Sequence, residues 1–231
     1  MGEKKTIRIK GKVLPYYPRI LTNDGSEPRL DIPVAVENLS LFKDIAGKYK
    51  LPFLLIYGTL LGAVREQSFL PHDSDTDLTI DRKHEDVLLE MIPEMEKAGL
   101  LLIRYEKLVL FGKGIVTYSF MKNGMWIDIY MMQKTWNSYM VYGKKYPRKH
   151  FDKTDTILFY DCEYLIPHDP GGFLAYVYGV NWRVPKSGEH GSPIKHILRI
   201  RFYFFLSKKF SKIFFIKNVI KKITRLIKWV T

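Results

Sequence analysis

The sequence has very little cysteine. Cys162 is the single cysteine among 231 residues, and the six histidines are scattered along the chain. One cysteine excludes an intramolecular disulfide and a zinc site built from several cysteines. It also favours a reducing compartment, where thiols are kept reduced.

Long apolar runs are missing as well. No stretch reaches the roughly 18 apolar residues that a membrane-spanning helix needs. The first 13 residues carry charges but no apolar centre, unlike a secretory signal. The sequence therefore predicts neither a membrane span nor a secretory leader.

Acidic residues are absent from the C-terminal part of the chain. Residues 195–231 contain eleven Lys or Arg and no Asp or Glu, whereas the other 194 residues hold 26 basic and 24 acidic side chains. The net charge of +13 is therefore mainly a property of this end of the chain. A near-neutral fold with a basic end does not indicate nucleic-acid binding. We expect two parts, a catalytic domain at 1–190 and a basic tail at 191–231.

The basic tail is amphipathic. Apolar residues between 216 and 230 recur at helical spacing, and Lys or Arg residues lie on the opposite face. A one-signed, aromatic and amphipathic helix is typical of segments that lie in the plane of an anionic membrane. We therefore expect residues 195–231 to contact a membrane surface; a helix that packs on the domain or binds a partner protein is the alternative.

Residues 53–80 contain the main candidate site. An apolar strand is followed by Gly58 and Thr59, and residues 60–64 have the composition of a helix start. A strand that ends at a Gly-Thr pair opening a helix leaves backbone N–H groups for a phosphate. Arg65 lies just beyond and offers further donors to phosphate, although a surface ion pair would explain it equally simply.

Three aspartates alternate at the end of this segment. Asp73, Asp75 and Asp77 would repel one another unless a cation offsets their charge, and Mg²⁺ prefers oxygen ligands. Asp75 and Asp77 fall on the same face of a predicted strand. Asp128 is an isolated acid in another apolar strand, where burial alone is costly, so we expect it to face the same site. A solvated turn with a helix cap is the simpler alternative for the cluster.

The order of predicted elements indicates an α+β chain with a mixed sheet. Helices are expected at 31–50, 60–64, 84–98 and 172–178, strands at 53–57, 77–80, 100–105, 107–111, 115–121 and 126–132, and a basic loop at 143–150.

This pattern resembles the LicD family, which includes bacterial phosphorylcholine transferases and fukutin-related proteins, within the nucleotidyltransferase superfamily. The matching residues are Gly58, Thr59, Leu60, Leu61, Gly62, Arg65, Pro71, Asp73, Asp75 and Asp77, then Asp128 and the segment 178–185. Ser74 stands where the family often has a further Asp, and His72 replaces a common aromatic residue. The resemblance covers about residues 31–185.

The resemblance implies a nucleotidyltransferase-like mixed β-sheet with flanking helices. It also implies transfer of a phospho-alcohol group (phosphocholine, ribitol phosphate or glycerol phosphate) from a CDP-activated donor to a sugar hydroxyl. The acceptor would be a glycan or lipid-linked oligosaccharide at the inner face of the membrane, so a cytoplasmic, peripheral location is expected. Catalysis and Mg²⁺ or Mn²⁺ binding are expected at Asp75, Asp77 and Asp128, and substrate or nucleotide binding at Tyr57, Gly58, Thr59, Gly62, Arg65, Asp73 and Trp182.

Two other functions fit the same residues. One is a nucleotidyltransferase that moves NMP from an NTP to a protein, nucleic acid or small molecule. The other is a membrane-binding scaffold on an inactive transferase fold, which the intact acidic triad disfavours. Pyrophosphate release would identify the first, and failure to bind CDP or NTP with a metal would identify the second.

Overall fold

The computed structural model describes residues 2–18, 29–110 and 113–185. Within these residues the chain forms eleven strands and four α-helices. The strands are β1 (Lys5–Ile9), β2 (Lys12–Tyr16), β3 (Leu54–Leu55), β4 (Asp75–Asp81), β5 (Leu101–Leu110), β6 (Lys113–Lys122), β7 (Met125–Lys134), β8 (Ser138–Val141), β9 (Lys144–Pro147), β10 (Thr154–Phe159) and β11 (Cys162–Pro167). The helices are α1 (Ile32–Lys48), α2 (Tyr57–Arg65), α3 (Glu85–Lys97) and α4 (Pro170–Tyr178).

The main sheet is mixed, as predicted. Its strands lie in the order β10-β11-β3-β4-β7-β6-β5, and β8 pairs with both β7 and β9. The pairs β11–β3 and β4–β7 are parallel, whereas β3–β4, β6–β7 and β10–β11 are antiparallel. Strands β1 and β2 form a separate antiparallel hairpin. The α+β architecture with a large mixed sheet and flanking helices is therefore confirmed.

Helix α1 forms where its spacing predicts. The Asp31 side chain caps it by accepting a hydrogen bond from the Val34 N–H at 3.2 Å, and Pro33 occupies its first turn. A proline there loses no intrahelical bond. The apolar face, which includes Leu39 and Phe42, is buried against β7 and α3.

Strands β4 and β7 form the centre of the sheet. Leu78, Ile80, Ile127 and Ile129 are fully buried on one face. Alternation along each strand then directs the aspartates to the other face. The apolar packing of one face therefore fixes the position of the polar groups on the opposite face.

Three local predictions were wrong. The strands predicted at 100–105 and 107–111 are one continuous strand, β5, and the strand predicted at 53–57 is reduced to β3 because α2 already begins at Tyr57. The basic loop at 143–150 is largely part of the β8–β9 hairpin. Tyr142 and Gly143 both have positive φ, 46° and 74°, which suits a two-residue hairpin turn. Tyr146 then points into the core, while Lys145 is exposed.

The chain divides into two compact units. One comprises residues 1–107 and 115–185, and the other comprises 108–114 and 186–231. The basic tail lies outside the described residues, and so does its predicted membrane helix. No helix in the described ranges is long and apolar enough to cross a membrane.

Candidate active site

Two buried aspartates lie side by side at the centre of the sheet. The register of the parallel strands β4 and β7 sets Asp77 directly beside Asp128. Asp77 is 9% exposed and Asp128 is 3% exposed. Asp75 is two positions earlier in β4 and therefore lies on the same face. The structure thus brings the three predicted carboxylates to one face of the sheet.

Negative charge is concentrated around Asp77. Burial raises the pKa of this carboxyl well above its ordinary value, and the charges of Asp75, Asp73 and Asp128 raise it further. A hydrogen bond from the Gly58 N–H acts in the opposite direction. Carboxylates that perturb one another in this way are stabilised in their ionised form by a nearby cation.

The start of α2 is locked onto β4 by reciprocal hydrogen bonds. The Gly58 N–H donates to Asp77 Oδ2 at 3.0 Å, and the Asp77 N–H donates to Thr59 Oγ1 at 2.8 Å. The Ile56 N–H also donates to the Asp77 carbonyl, at 3.2 Å. The positive end of the helix thus faces an Asp77 carboxylate oxygen. The Gly58 N–H is therefore not left over for a phosphate in this structure, because the carboxylate of Asp77 already accepts from it.

Close packing requires glycine at two predicted positions. A Cβ at Gly58 would overlap the carboxylate of Asp73, and a Cβ at Gly62 would overlap the carbonyl oxygen of Ser68. The main chain of Asp73 is itself fixed, since its carbonyl accepts from the Leu30 N–H at 2.8 Å. Gly58 therefore lets an acidic side chain approach the helix start, whereas Gly62 serves the packing of α2.

Arg65 and Trp182 contact each other, which links α2 to the segment after α4. Arg65 Nη1 donates to the Trp182 carbonyl at 3.0 Å, and its Nε donates to Glu66 at 2.8 Å. The Arg65 side chain is only 7% exposed. The Trp182 ring is buried, with the Arg183 guanidinium 4.3 Å from its centroid. These two residues brace α2 against the segment after α4, and their substrate-binding roles stay predictions.

Tyrosines line the same region. Tyr57 has a φ of 48°, an uncommon conformation for a non-glycine residue, and its hydroxyl lies 3.0 Å from that of Tyr146. Its ring packs edge-on against Tyr130, with centroids 5.4 Å apart, and Tyr130 contacts Tyr142 in turn. Lys144 Nζ lies 5.9 Å from the centroid of the Tyr57 ring. The β8–β9 hairpin therefore supplies aromatic and basic groups to the surroundings of Asp77.

Two functional candidates, Arg104 and Tyr130, were missed in the sequence analysis. Arg104 on β5 donates from Nη2 to Asp128 Oδ2 and from Nε to Ser119 Oγ, the latter at 2.8 Å. Tyr130 could have been found from sequence, because it follows Asp128 by two positions in a strand. Arg104 could not, because its contact depends on the pairing of strands whose register the sequence does not reveal.

The carboxylates fit a divalent cation that is held by two of them together with substrate phosphates. Carboxylate oxygens are the preferred ligands of Mg²⁺, which commonly uses one or two carboxylates together with substrate phosphates. Asp75 and Asp77 supply such a pair. Across residues 2–18, 29–110 and 113–185, however, no group of three His, Cys, Asp or Glu side chains is assembled closely enough to hold a metal ion. The third predicted ligand, Asp128, is engaged by Arg104.

A family model describes most of this region. The model for the LicD/FKTN/FKRP nucleotidyltransferase domain matches residues 50–169, which is just over half of the chain. The chain belongs to the LicD/FKTN/FKRP family. The match includes the Gly58 turn, the three carboxylates and Arg104, and it leaves out Trp182 and the basic tail.

Individual relatives are distant from this LicD-family chain. The uncharacterized protein RP689 of Rickettsia prowazekii (strain Madrid E) is 30% identical over 136 residues. That alignment covers 56% of this chain and 44% of the relative, so the chain spans less than half of that protein's length.

Two solved structures of the antibiotic-resistance factor ANT(2'')-Ia are similar at a low level. A solution structure has a TM-score of 0.44 and 12% identity, covering 74% of this chain and 83% of that one. A crystal structure with adenylyl-2''-tobramycin has a TM-score of 0.44 and 15% identity, covering 73% and 87%.

Proposed function

We propose that the protein is a metal-dependent phosphotransferase. It moves a phospho-alcohol group from a CDP-activated donor to a sugar hydroxyl of a cell-surface glycan, with CMP as the leaving group. The observation that supports this most is the pairing of Asp77 with Asp128 across β4 and β7, inside the region that matches the LicD family.

The three carboxylates share one task in this proposal, and Asp128 has a second. Asp75 and Asp77, with Asp128, would hold Mg²⁺ or Mn²⁺. The bound cation would neutralise charge on the donor pyrophosphate. The Gly58 N–H fixes the orientation of the Asp77 carboxylate. Asp128 would accept the proton of the attacking hydroxyl, because it lies beside Asp77 on the same surface.

The tyrosines and the hairpin suit the organic part of the donor. Tyr57, Tyr130 and Tyr142 present aromatic surface beside the carboxylates, and burial raises the pKa of each hydroxyl, so each stays protonated at neutral pH. Protonated hydroxyls can donate hydrogen bonds to an anionic donor or to its alcohol. Lys144 adds a positive charge at the same place.

The alternative is transfer of NMP from an NTP, which the description of the family domain as a nucleotidyltransferase favours. The two reactions release different products. Incubation with CDP-choline, CDP-ribitol, CDP-glycerol or each of the four NTPs, followed by mass spectrometry, separates CMP release from pyrophosphate release. CMP release from one CDP-alcohol is the expected result, and pyrophosphate release would replace the proposal by its alternative.

Variants test the assigned carboxylates. Asp75→Ala and Asp128→Ala are expected to abolish transfer and to retain the circular dichroism spectrum of the wild type. Asp44→Ala is a matched control, because Asp44 is exposed on α1. Turnover near the wild-type level in either active-site variant would contradict the assignment.

The remaining partners are proposed from the basic tail and the family. The acceptor would be a glycan or lipid-linked oligosaccharide, and residues 195–231 would hold the enzyme on the cytoplasmic face of an anionic membrane. No nucleic-acid partner is proposed, since residues 1–194 are nearly neutral.

A further inference from the structure

Four polar residues form a row across four neighbouring strands. Asp77 on β4 is beside Asp128 on β7, and Asp128 is opposite Ser119 on β6. Arg104 on β5 completes the row, because its guanidinium reaches across Ser119 to Asp128. An arginine thus lies at one end of the row and a buried carboxylate at the other.

Arg104 differs from the other members of the row in its exposure. Its side chain is 37% exposed, whereas that of Asp128 is 5% exposed, and Ser119 is buried. A flexible side chain at the edge of the site can change partners without repacking of the core. Guanidinium also binds phosphate in the same forked manner in which it binds carboxylate. Arg104 therefore has a second possible partner if an anionic donor enters.

The ion pair and a metal would compete for the charge of Asp128. Asp128 Oδ2 accepts from Arg104, and a divalent cation bound to the same carboxylate would be repelled by the adjacent guanidinium. In the described part of the chain, no group of three His, Cys, Asp or Glu side chains is assembled to hold a metal ion. Cation binding by all three carboxylates is therefore opposed while Arg104 stays on Asp128.

We propose that Arg104 is an internal counter-ion, which neutralises Asp128 before loading and transfers to a phosphate of the donor when a divalent cation binds the carboxylates. This inference rests on the proposed function, because it needs a cation and an anionic donor at the same site. It makes the binding of the two ligands cooperative. The donor attracts the Arg104 guanidinium away from Asp128, which favours binding of the cation. By reciprocity, the bound cation displaces the guanidinium and favours binding of the donor.

Direct binding measurements test the exchange. Binding of MnCl₂ to the full chain is measured by electron paramagnetic resonance without nucleotide, and binding of CDP is then measured by calorimetry at saturating Mn²⁺. Arg104→Met keeps the length of the side chain but removes its charge. It is expected to bind Mn²⁺ about tenfold more tightly, because one nearby positive charge is lost. It is expected to bind CDP about tenfold more weakly, because a charge-assisted hydrogen bond is lost.

Opposite changes in the two affinities distinguish the exchange from a purely structural role. Lys48→Met removes one positive charge from an exposed ion pair on α1 and should change neither affinity. Arg104→Lys should shift both affinities in the same directions by less, and it serves as the test if Arg104→Met does not fold. Weaker or unchanged Mn²⁺ binding in a folded variant would overturn the proposal.

The wild type separates this inference from the proposed function. Wild-type protein that binds neither Mn²⁺ nor CDP would overturn both. Wild-type protein that binds both ligands but releases no CMP from any CDP-alcohol would overturn the proposed reaction alone. The Arg104 exchange would then still be decided by the variant affinities.

Discussion

At the scale of single residues, one side chain of the candidate site, Asp77, is expected to lower the stability of the fold. Asp77 is buried, accepts a hydrogen bond from Gly58 and lies within reach of three other carboxylates. Charge burial of this kind opposes folding unless a cation is bound. Residues selected for function commonly reduce stability in this way.

Asp77→Asn is therefore expected to stabilise the metal-free protein. The amide oxygen can still accept from the Gly58 N–H, while one buried negative charge is removed. A gain of about 1 kcal/mol would raise the melting temperature by about 2–4 °C in a domain of this size. The measurement is thermal unfolding in EDTA at pH 7.

The control for this variant is Asp44→Asn, which removes the same charge from an exposed position on α1. Its melting temperature should stay within a degree or so of the wild type, as for most surface substitutions. Equal melting temperatures for wild type and Asp77→Asn would show that the carboxylate carries no net cost.

The sequence pattern predicted the three aspartates of the site but not Arg104. Alternation in one strand was sufficient to put Asp75 and Asp77 on one face, and the cost of burying an isolated acid pointed to Asp128. Arg104 lies 24 positions before its partner, on a strand separated from it by β6. Such a contact is fixed by sheet order and register, which local patterns do not contain.

At the scale of elements, α2 is positioned by a glycine on its packed face. A Cβ at Gly62 would meet the backbone oxygen of Ser68, which cannot move aside as a flexible side chain could. Gly62→Ala is therefore expected to destabilise the protein by about 1–3 kcal/mol, the usual cost of overpacking. Chemical denaturation measures the change.

Gly47 in α1 offers a matched comparison, because a Cβ there would meet nothing within 4 Å. Gly47→Ala should stabilise the protein by about 0.4–1 kcal/mol, since alanine loses less backbone entropy in a helix. The same substitution in two helices is thus expected to have opposite signs. Destabilisation by Gly47→Ala similar to that by Gly62→Ala would refute the packing explanation.

Arg65 provides a second test at this scale. Its part-buried bond to the Trp182 carbonyl ties α2 to the segment after α4. Arg65→Met should therefore lower stability by about 1–3 kcal/mol without any ligand, because the carbonyl loses its donor. If Arg65 served only to bind phosphate, stability of the ligand-free protein would not change. Denaturant unfolding without nucleotide distinguishes the two roles.

The β8–β9 hairpin was predicted incorrectly as a loop for a physical reason. Lysines at 144 and 145 indicated a solvated loop, yet alternation in β9 lets lysine point outward while Tyr146 is buried. The pair Tyr142–Gly143 forms the turn through positive φ values, and tyrosine is not a residue that marks such a turn. By contrast, α1 and α3 follow their apolar spacing closely, because one face of each packs against the rest of the fold.

At the scale of the whole molecule, charge is distributed unevenly. Eleven basic residues and no acids follow position 194, whereas the rest of the chain is nearly neutral. Electrostatic attraction to an anionic bilayer grows with each basic residue near the surface and is screened by salt. Membrane attachment would then belong to the residues after position 194, and catalysis to the residues before it.

Removal of residues 195–231 tests that separation. The full chain should float with liposomes that contain anionic lipid, and the truncated chain should stay in the bottom fraction. Flotation of the full chain should decrease as salt rises from about 0.1 M to about 1 M, where the screening length falls from about 10 Å to about 3 Å. Neutral phosphatidylcholine liposomes serve as the lipid control. Equal flotation of the two chains would show that the basic tail is not the anchor. Flotation that persists at high salt would show that the chain is attached by apolar insertion rather than by charge.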